Sequence, residues 1–178
     1  MPIDYALTLH NQHTVFMPLR PIVEYPAPVL LSPGEPVVDF NAELESLVQD
    51  MFDTMYDAEG VGLAAPQIGM PLRLFVMDCD GIKLVAANPE ILSTEGEQDG
   101  EEGCLSVHKV PAPLKRPAKA VLRAQDISGQ TFEREATGLA ARCFLHETDH
   151  CDGRLFIHHL SPLRRDMVVR RFRKLQRR

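Results

Sequence analysis

His146 and His150 stand four apart, with Glu147 directly after the first, in the stretch FLHETDHCDG from 144 to 153. On a helix this spacing sets both imidazoles on adjoining parts of one face, where they can hold one divalent ion. Glu147 then lies beside the ion without binding it, placed to take a proton from a water that the ion has acidified. Two histidines and an acid on the wet side of a helix spell the same letters, so the pattern alone leaves a metal centre and a solvated face both open. A hydrolytic site takes three protein ligands and keeps one position for water. His158 and His159 follow Gly153 in an apolar stretch that reads as strand, and Cys104 in EEGCLSVH is the better third candidate. Without that role it is a half-buried free thiol.

The elements that must position these groups are legible around them. Leu44, Leu47, Val48, Met51, Phe52 and Met55 recur at steps of three and four, the apolar stripe of a core-packed helix, with Asn41 as its N-cap and Gly60 just past its end. LRLFVMDC and IKLVAANP are strand-forming and flank Asp80-Gly81, a pair suited to a tight hairpin turn. KAVLRAQD and QTFEREA are joined in the same way through ISG. TGLAARCFLHETDHC reads as the helix that carries the histidines, capped by Thr137 and stopped by Gly153. After Ser161-Pro162 a last helix sets Met167, Val168, Arg171 and Leu175 near one face. Strand pairs followed by separate helices make an α+β fold: antiparallel or mixed sheets packed around a central metal-binding helix, with a helix at the C-terminus.

At 178 residues the chain fits one domain. Residues 1–20 lack a clear period and read as an N-terminal extension, leaving 21–178 as a single catalytic domain that ends in a basic helix. The start of the chain does not have the pattern of a secretory signal, no stretch is long and apolar enough to span a bilayer, and the expected location is cytoplasmic. Four irregularly spaced cysteines suit free thiols or metal ligands better than a disulfide framework. Residues 164–178 carry eight basic side chains against one acid, although the whole chain has a net charge of −6. An acidic body with a basic end expects an anionic partner at that end, or a merely solubilising tail.

Three stretches in order, GVGLAAPQ (60–67), EGCLS (102–106) and HETDH (146–150), resemble the signature motifs of peptide deformylases. The resemblance extends from about Pro21 to the end. It implies a metal-dependent hydrolase that removes the N-formyl group from the initiator methionine of newly synthesised polypeptides and releases formate. It further implies Cys104, His146 and His150 as ligands, with ferrous iron as the native ion and zinc, nickel or cobalt able to occupy the site. Glu147 is implied as the catalytic acid and base, with the Leu105 N–H and the Gln67 side-chain amide as donors to the formyl oxygen. Gly62 is the position whose backbone meets the peptide, and Asp149 and Arg116 form an ion pair that supports the metal helix. The implied partners are formyl-methionyl nascent peptides, with neither DNA nor membrane among them; the charge of residues 164–178 separately offers the RNA surface of the ribosome as the anionic partner, or solubility alone. The chain departs from the family pattern at Leu145 and Cys151, and at His108 and Pro111, where proline and often arginine are usual. A metallopeptidase sharing the HExxH chemistry, and a binding protein without turnover, are the rival readings.

Overall fold

The structure, a computed structural model, describes residues 19–177. Of the expected N-terminal extension, residues 1–18 lie outside the described residues. Arg20 is fastened to the first helix: its N–H donates to Thr54 Oγ1 at 3.0 Å and its Nε to Asp50 Oδ2 at 2.9 Å.

Helix α1 runs Ala42–Asp57, and Asn41 caps it by accepting the Glu43 and Leu44 N–H groups, both at 3.1 Å. Short β1 (Gly62–Ala64) follows, then a 3₁₀ turn at Ala65–Ile68. β2 (Leu74–Cys79) and β3 (Ile82–Glu95) form the hairpin, and its Asp80 and Gly81 take the positive φ values of 50° and 75° that this turn requires. β4 (Glu101–Glu102) and β5 (Ala112–Pro113) make a separate two-stranded ladder. β6 (Lys119–Gln125) and β7 (Thr131–Thr137) complete a five-stranded antiparallel sheet in the order β1-β2-β3-β6-β7. Helix α2 (Gly138–Cys151) and helix α3 (Pro162–Gln176) follow, with the expected strand after Gly153 replaced by a 3₁₀ turn at Phe156–His159. Leu155, Phe156 and Ile157 are all buried there, and three consecutive inward side chains do not fit the alternation of a half-exposed strand.

β2 shows why the sheet carries a helix on each face. Phe75, Met77 and Cys79 pack with α2, whereas Leu74 and Val76 pack with α1. Strand alternation divides consecutive apolar residues between two cores, so both faces are covered. Thr137 occupies the N-cap position of α2 but its side chain makes no capping bond.

A third apolar cluster joins α3 to the loop after β4. Val168 and Phe172 are buried with Cys104, Val107 and Phe156, while Met167 and Leu175, expected on the same packed face, are exposed. A step of four from Val168 to Phe172 keeps two bulky groups in register on one stripe. The basic end of the chain is therefore part of the core and not an appendage.

Candidate active site

α2 lies across the sheet with most of its circumference covered, so even its polar residues Arg142, His146, Glu147, Thr148, Asp149 and His150 are buried. A buried helix with that composition needs partners for each charge, and β4 and the chain just after β5 supply most of them. Glu102, at the end of β4, receives His146 Nδ1–H at 2.8 Å, Arg116 through Nε and Nη2 at 3.0 and 2.7 Å, and Arg142 Nη1 at 2.9 Å. Arg116 reaches on to Asp149 Oδ2 at 2.8 Å, which also accepts His159 Nε2–H at 2.8 Å. A hydrogen bond at Nδ1 orients the His146 ring and leaves Nε2 to face the opposite way.

Nε2 faces the sulfur that follows Glu102 by two residues. The ligand atoms of Cys104, His146 and His150 all lie within 4.8 Å of one another, and the three residues are buried. Cys104 Sγ is 3.2 Å from His150 Nε2. A thiolate and two imidazoles suit a borderline-soft divalent ion, and three protein donors leave room for a further ligand. The donor set and its spacing thus fit a metal centre. His158 and His159, the alternative third ligands, are not in this group: His158 Nδ1 accepts the Leu155 N–H at 3.1 Å and His159 serves Asp149.

Electrostatics separate the buried groups. Burial opposes charge on Glu102, yet His146 and Arg116 hold its carboxyl well below the usual carboxylate range. Burial likewise works against a charged His146, but Cys104 and Glu102 raise its pKa well above the ordinary value, and burial together with that neighbouring charge pushes His150 well below it. Glu147 is different. Its Oε2 has no hydrogen-bond partner among the described residues, and burial raises its pKa to about 7, opposed by His146 and assisted by Glu102 and Asp149.

The turn before β2 completes the site. Gln67 Oε1 accepts the Ala64 N–H at 2.8 Å, which aims Nε2 at Cys104 Sγ and Ser106 Oγ, 3.5 and 3.4 Å away. Leu105 opens the 3₁₀ turn at Leu105–Val107, and the amide of a first turn residue is not used by the turn itself. Gly62 is packed so closely that a Cβ there would fall on Glu147 Oε1 and within 2.8 Å of Cys143 Sγ. A cavity of about 300 Å³ opens over this floor, lined among others by Gly62, Gln67, Leu105, Leu139, Cys143 and Glu147.

A sequence model described as polypeptide deformylase matches residues 19–166. The chain belongs to the peptide deformylase family. It is a metal-dependent hydrolase that removes the N-formyl group from nascent peptides. The enzyme is 51% identical over 166 residues to the peptide deformylase of Acidobacterium capsulatum, covering 90% of this chain and 98% of the relative. It is 48% identical over 160 residues to that of Acidothermus cellulolyticus, covering 90% and 89%. Among solved structures, a peptide deformylase from Legionella pneumophila superimposes with a TM-score of 0.86 at 47% identity, covering 90% of this chain and 96% of that one. The deformylase from Thermotoga maritima gives 0.79 at 38% identity, covering 82% and 100%.

The structure brings together the nine residues that the resemblance implies: Cys104, His146, Glu147, Gln67, Leu105 and Gly62 line the cavity, His150 completes the ligand group beneath it, and Arg116 pairs with Asp149 behind it. Sequence reasoning missed Glu102 and Arg142. Glu102 stands beside Glu101 in an acidic run and differs from it in burial, because consecutive residues of β4 face opposite sides. Arg142 had a signal in its position four residues before His146 on the same helix face.

Proposed function

We propose that Glu147, Gln67 and Leu105 carry the deformylation chemistry, over a metal held by Cys104, His146 and His150. The observation that carries this reading is the convergence of the unpartnered Glu147 carboxyl, the aimed Gln67 amide and the three ligand atoms at one cavity floor. A divalent ion bound there would supply Lewis acidity. The native ion is ferrous iron, with zinc, nickel or cobalt able to replace it. Glu147 takes the proton of the water that attacks the formyl carbon, then returns it to the methionine nitrogen as the C–N bond breaks and formate leaves. A carboxyl poised near neutrality suits both halves of that transfer. The Leu105 N–H and Gln67 Nε2–H donate to the formyl oxygen as it gains charge. The Gly62 backbone borders the peptide, and the absence of a Cβ there keeps Glu147 at the floor. Arg116 and Asp149 brace α2 through Glu102, fixing the His146 ring.

The substrates are formyl-methionyl nascent chains. The exposed cations of α3, Arg164, Arg170, Arg171, Arg173 and Lys174, give the enzyme an RNA-facing surface for the ribosome. Only Arg170 among them has an ion-pair partner, Asp166 at 2.8 Å, among the described residues. No helix of the described residues is long and apolar enough to cross a membrane, and we place the enzyme in the cytoplasm.

The test is formate release from N-formyl-Met peptides by protein loaded with iron or nickel without oxygen, against Glu147→Ala and an unformylated peptide. Release lost in the variant supports the roles above. Cleavage of the unformylated peptide, or no release from a fully loaded site, overturns them. For the ribosome, Arg171→Glu with Lys174→Glu should abolish co-sedimentation at low salt while free-peptide turnover is kept. Persistent co-sedimentation would remove that partner.

A further inference from the structure

Both proposed oxyanion donors are mounted on one short backbone segment. The Val23 N–H donates to the Gln67 carbonyl at 2.7 Å, and the Tyr25 N–H donates to the Ser106 carbonyl, next to Leu105, at 3.0 Å. Glu24 lies between these two anchors. Its carboxylate accepts His108 Nε2–H at 2.5 Å through one oxygen and Gln176 Nε2–H at 2.6 Å through the other. His108 ends the turn that Leu105 begins and holds a left-handed φ of 48°. Its ring is 5.2 Å from that of Phe172, which Tyr25 meets edge-on at 6.5 Å. Three elements, the 23–25 segment, the Leu105 turn and the last turns of α3, thus meet at one carboxylate.

None of Glu24, His108 or Gln176 lines the cavity. Nor are they strong stabilisers of the fold: the His108 and Glu24 side chains are 35% and 42% exposed, and ion pairs so open to water contribute little. What they can set is position. Donation to a developing oxyanion depends steeply on geometry, and a displacement of about 1 Å can cost on the order of a hundredfold in rate.

We infer that the Glu24–His108–Gln176 junction is a positioning device that uses α3 as a strut to hold the Leu105 and Gln67 donors in register with the formyl oxygen. The inference rests on the donor roles proposed above. It makes the C-terminal helix part of the catalytic geometry, and links any ligand that moves α3 to turnover.

Two substitutions break the junction while sparing the backbone. His108→Asn keeps a residue that tolerates positive φ but is too short to reach Glu24. Gln176→Glu sets a carboxylate against Glu24. In the double variant Glu24→Gln/Gln176→Glu, the amide now at position 24 can donate to the carboxylate now at position 176 and still accept from His108, which restores both bonds with the roles exchanged. Each single variant should lower kcat about tenfold with KM changed less than about twofold, with metal content and melting temperature unchanged, and the double variant should recover most of the loss. Unchanged kcat, a loss that the double variant does not recover, or a loss that follows metal content or melting temperature would overturn the inference. Gln67→Leu distinguishes the two levels. If it lowers kcat while Gln176→Glu does not, only the positioning device fails, and if it leaves kcat intact the donor roles fail with it.

Discussion

Glu147 Oε1 occupies the space that a side chain on Gly62 would need. The contact joins the first motif to the third across about 85 residues of sequence, and explains the glycine without appeal to backbone flexibility: Gly62 lies in a strand, at a conformation open to any residue. What it provides is room for a buried carboxylate.

Gly62→Ala should therefore act through Glu147. Displacing the carboxylate costs about a hundredfold in kcat, while the ligands, none of which is among the atoms nearest the new Cβ, keep their ion. Steady-state kinetics beside a metal assay would check this, and a loss of metal in step with activity would show that the contact does something else.

Glu102 holds a ligand from behind. Glu102→Gln keeps the shape of the side chain but loses the charge that orients His146 and pairs Arg116 and Arg142. Metal affinity should fall about 10- to 100-fold, as read by competition with a chelator. The buried arginines are left short of a counter-charge, at a cost of about 3 to 5 kcal/mol in unfolding free energy.

Phe172 tests whether the basic helix belongs to the core. It is 1% exposed in the cluster that contains Cys104, so Phe172→Ala should destabilise the enzyme by about 3 to 5 kcal/mol in urea unfolding. Exposed charges on the same helix, such as Arg173, should change stability by less than about 0.5 kcal/mol when replaced by alanine. Removal of residues 164–178 would take Phe172 with it and should lower the stability of the enzyme.

Glu24 gives a stability signature in acid. The Gln176 amide is the largest influence on its carboxyl, and with His108 it outweighs slight burial to hold the pKa below the ordinary 4.5. A depressed carboxylate pKa contributes stability that is present above the unfolded-state value and is lost as pH falls through the folded-state value. The melting temperature should thus decline as pH drops below about 4.5, and Glu24→Gln, which lacks the ionised form, should lie slightly below the parent above pH 6 and converge on it in acid, giving a shallower decline. Parallel profiles for the two proteins would show that Glu24 is not linked to folding.

The periodic and local features were open to sequence reading because neighbouring residues decide them. The stripe from Leu44 to Met55, the Asn41 cap, the Asp80-Gly81 turn and the spacing of His146 and His150 all depend on steps of one to four residues. The apolar run at 155–157 misled because a strand and a buried 3₁₀ turn share it, and only packing against α3 and the Cys104 loop separates them. Met167 and Leu175 misled in the same way, since helical geometry offers a stripe and the neighbour it meets selects Val168 and Phe172.

The sequence by itself determined the ligand types, the acid beside them and the family, because motif identity is a property of residue order. Tertiary structure decided which of two adjacent glutamates is buried as the hub of Glu102, that Gly62 serves Glu147, and that Glu24, His108 and Gln176 meet although residues 24 and 176 lie at opposite ends of the described chain. Those choices depend on burial and on contacts between segments distant in sequence. A carboxylate declares its role only when the fold has removed its water and named its partners.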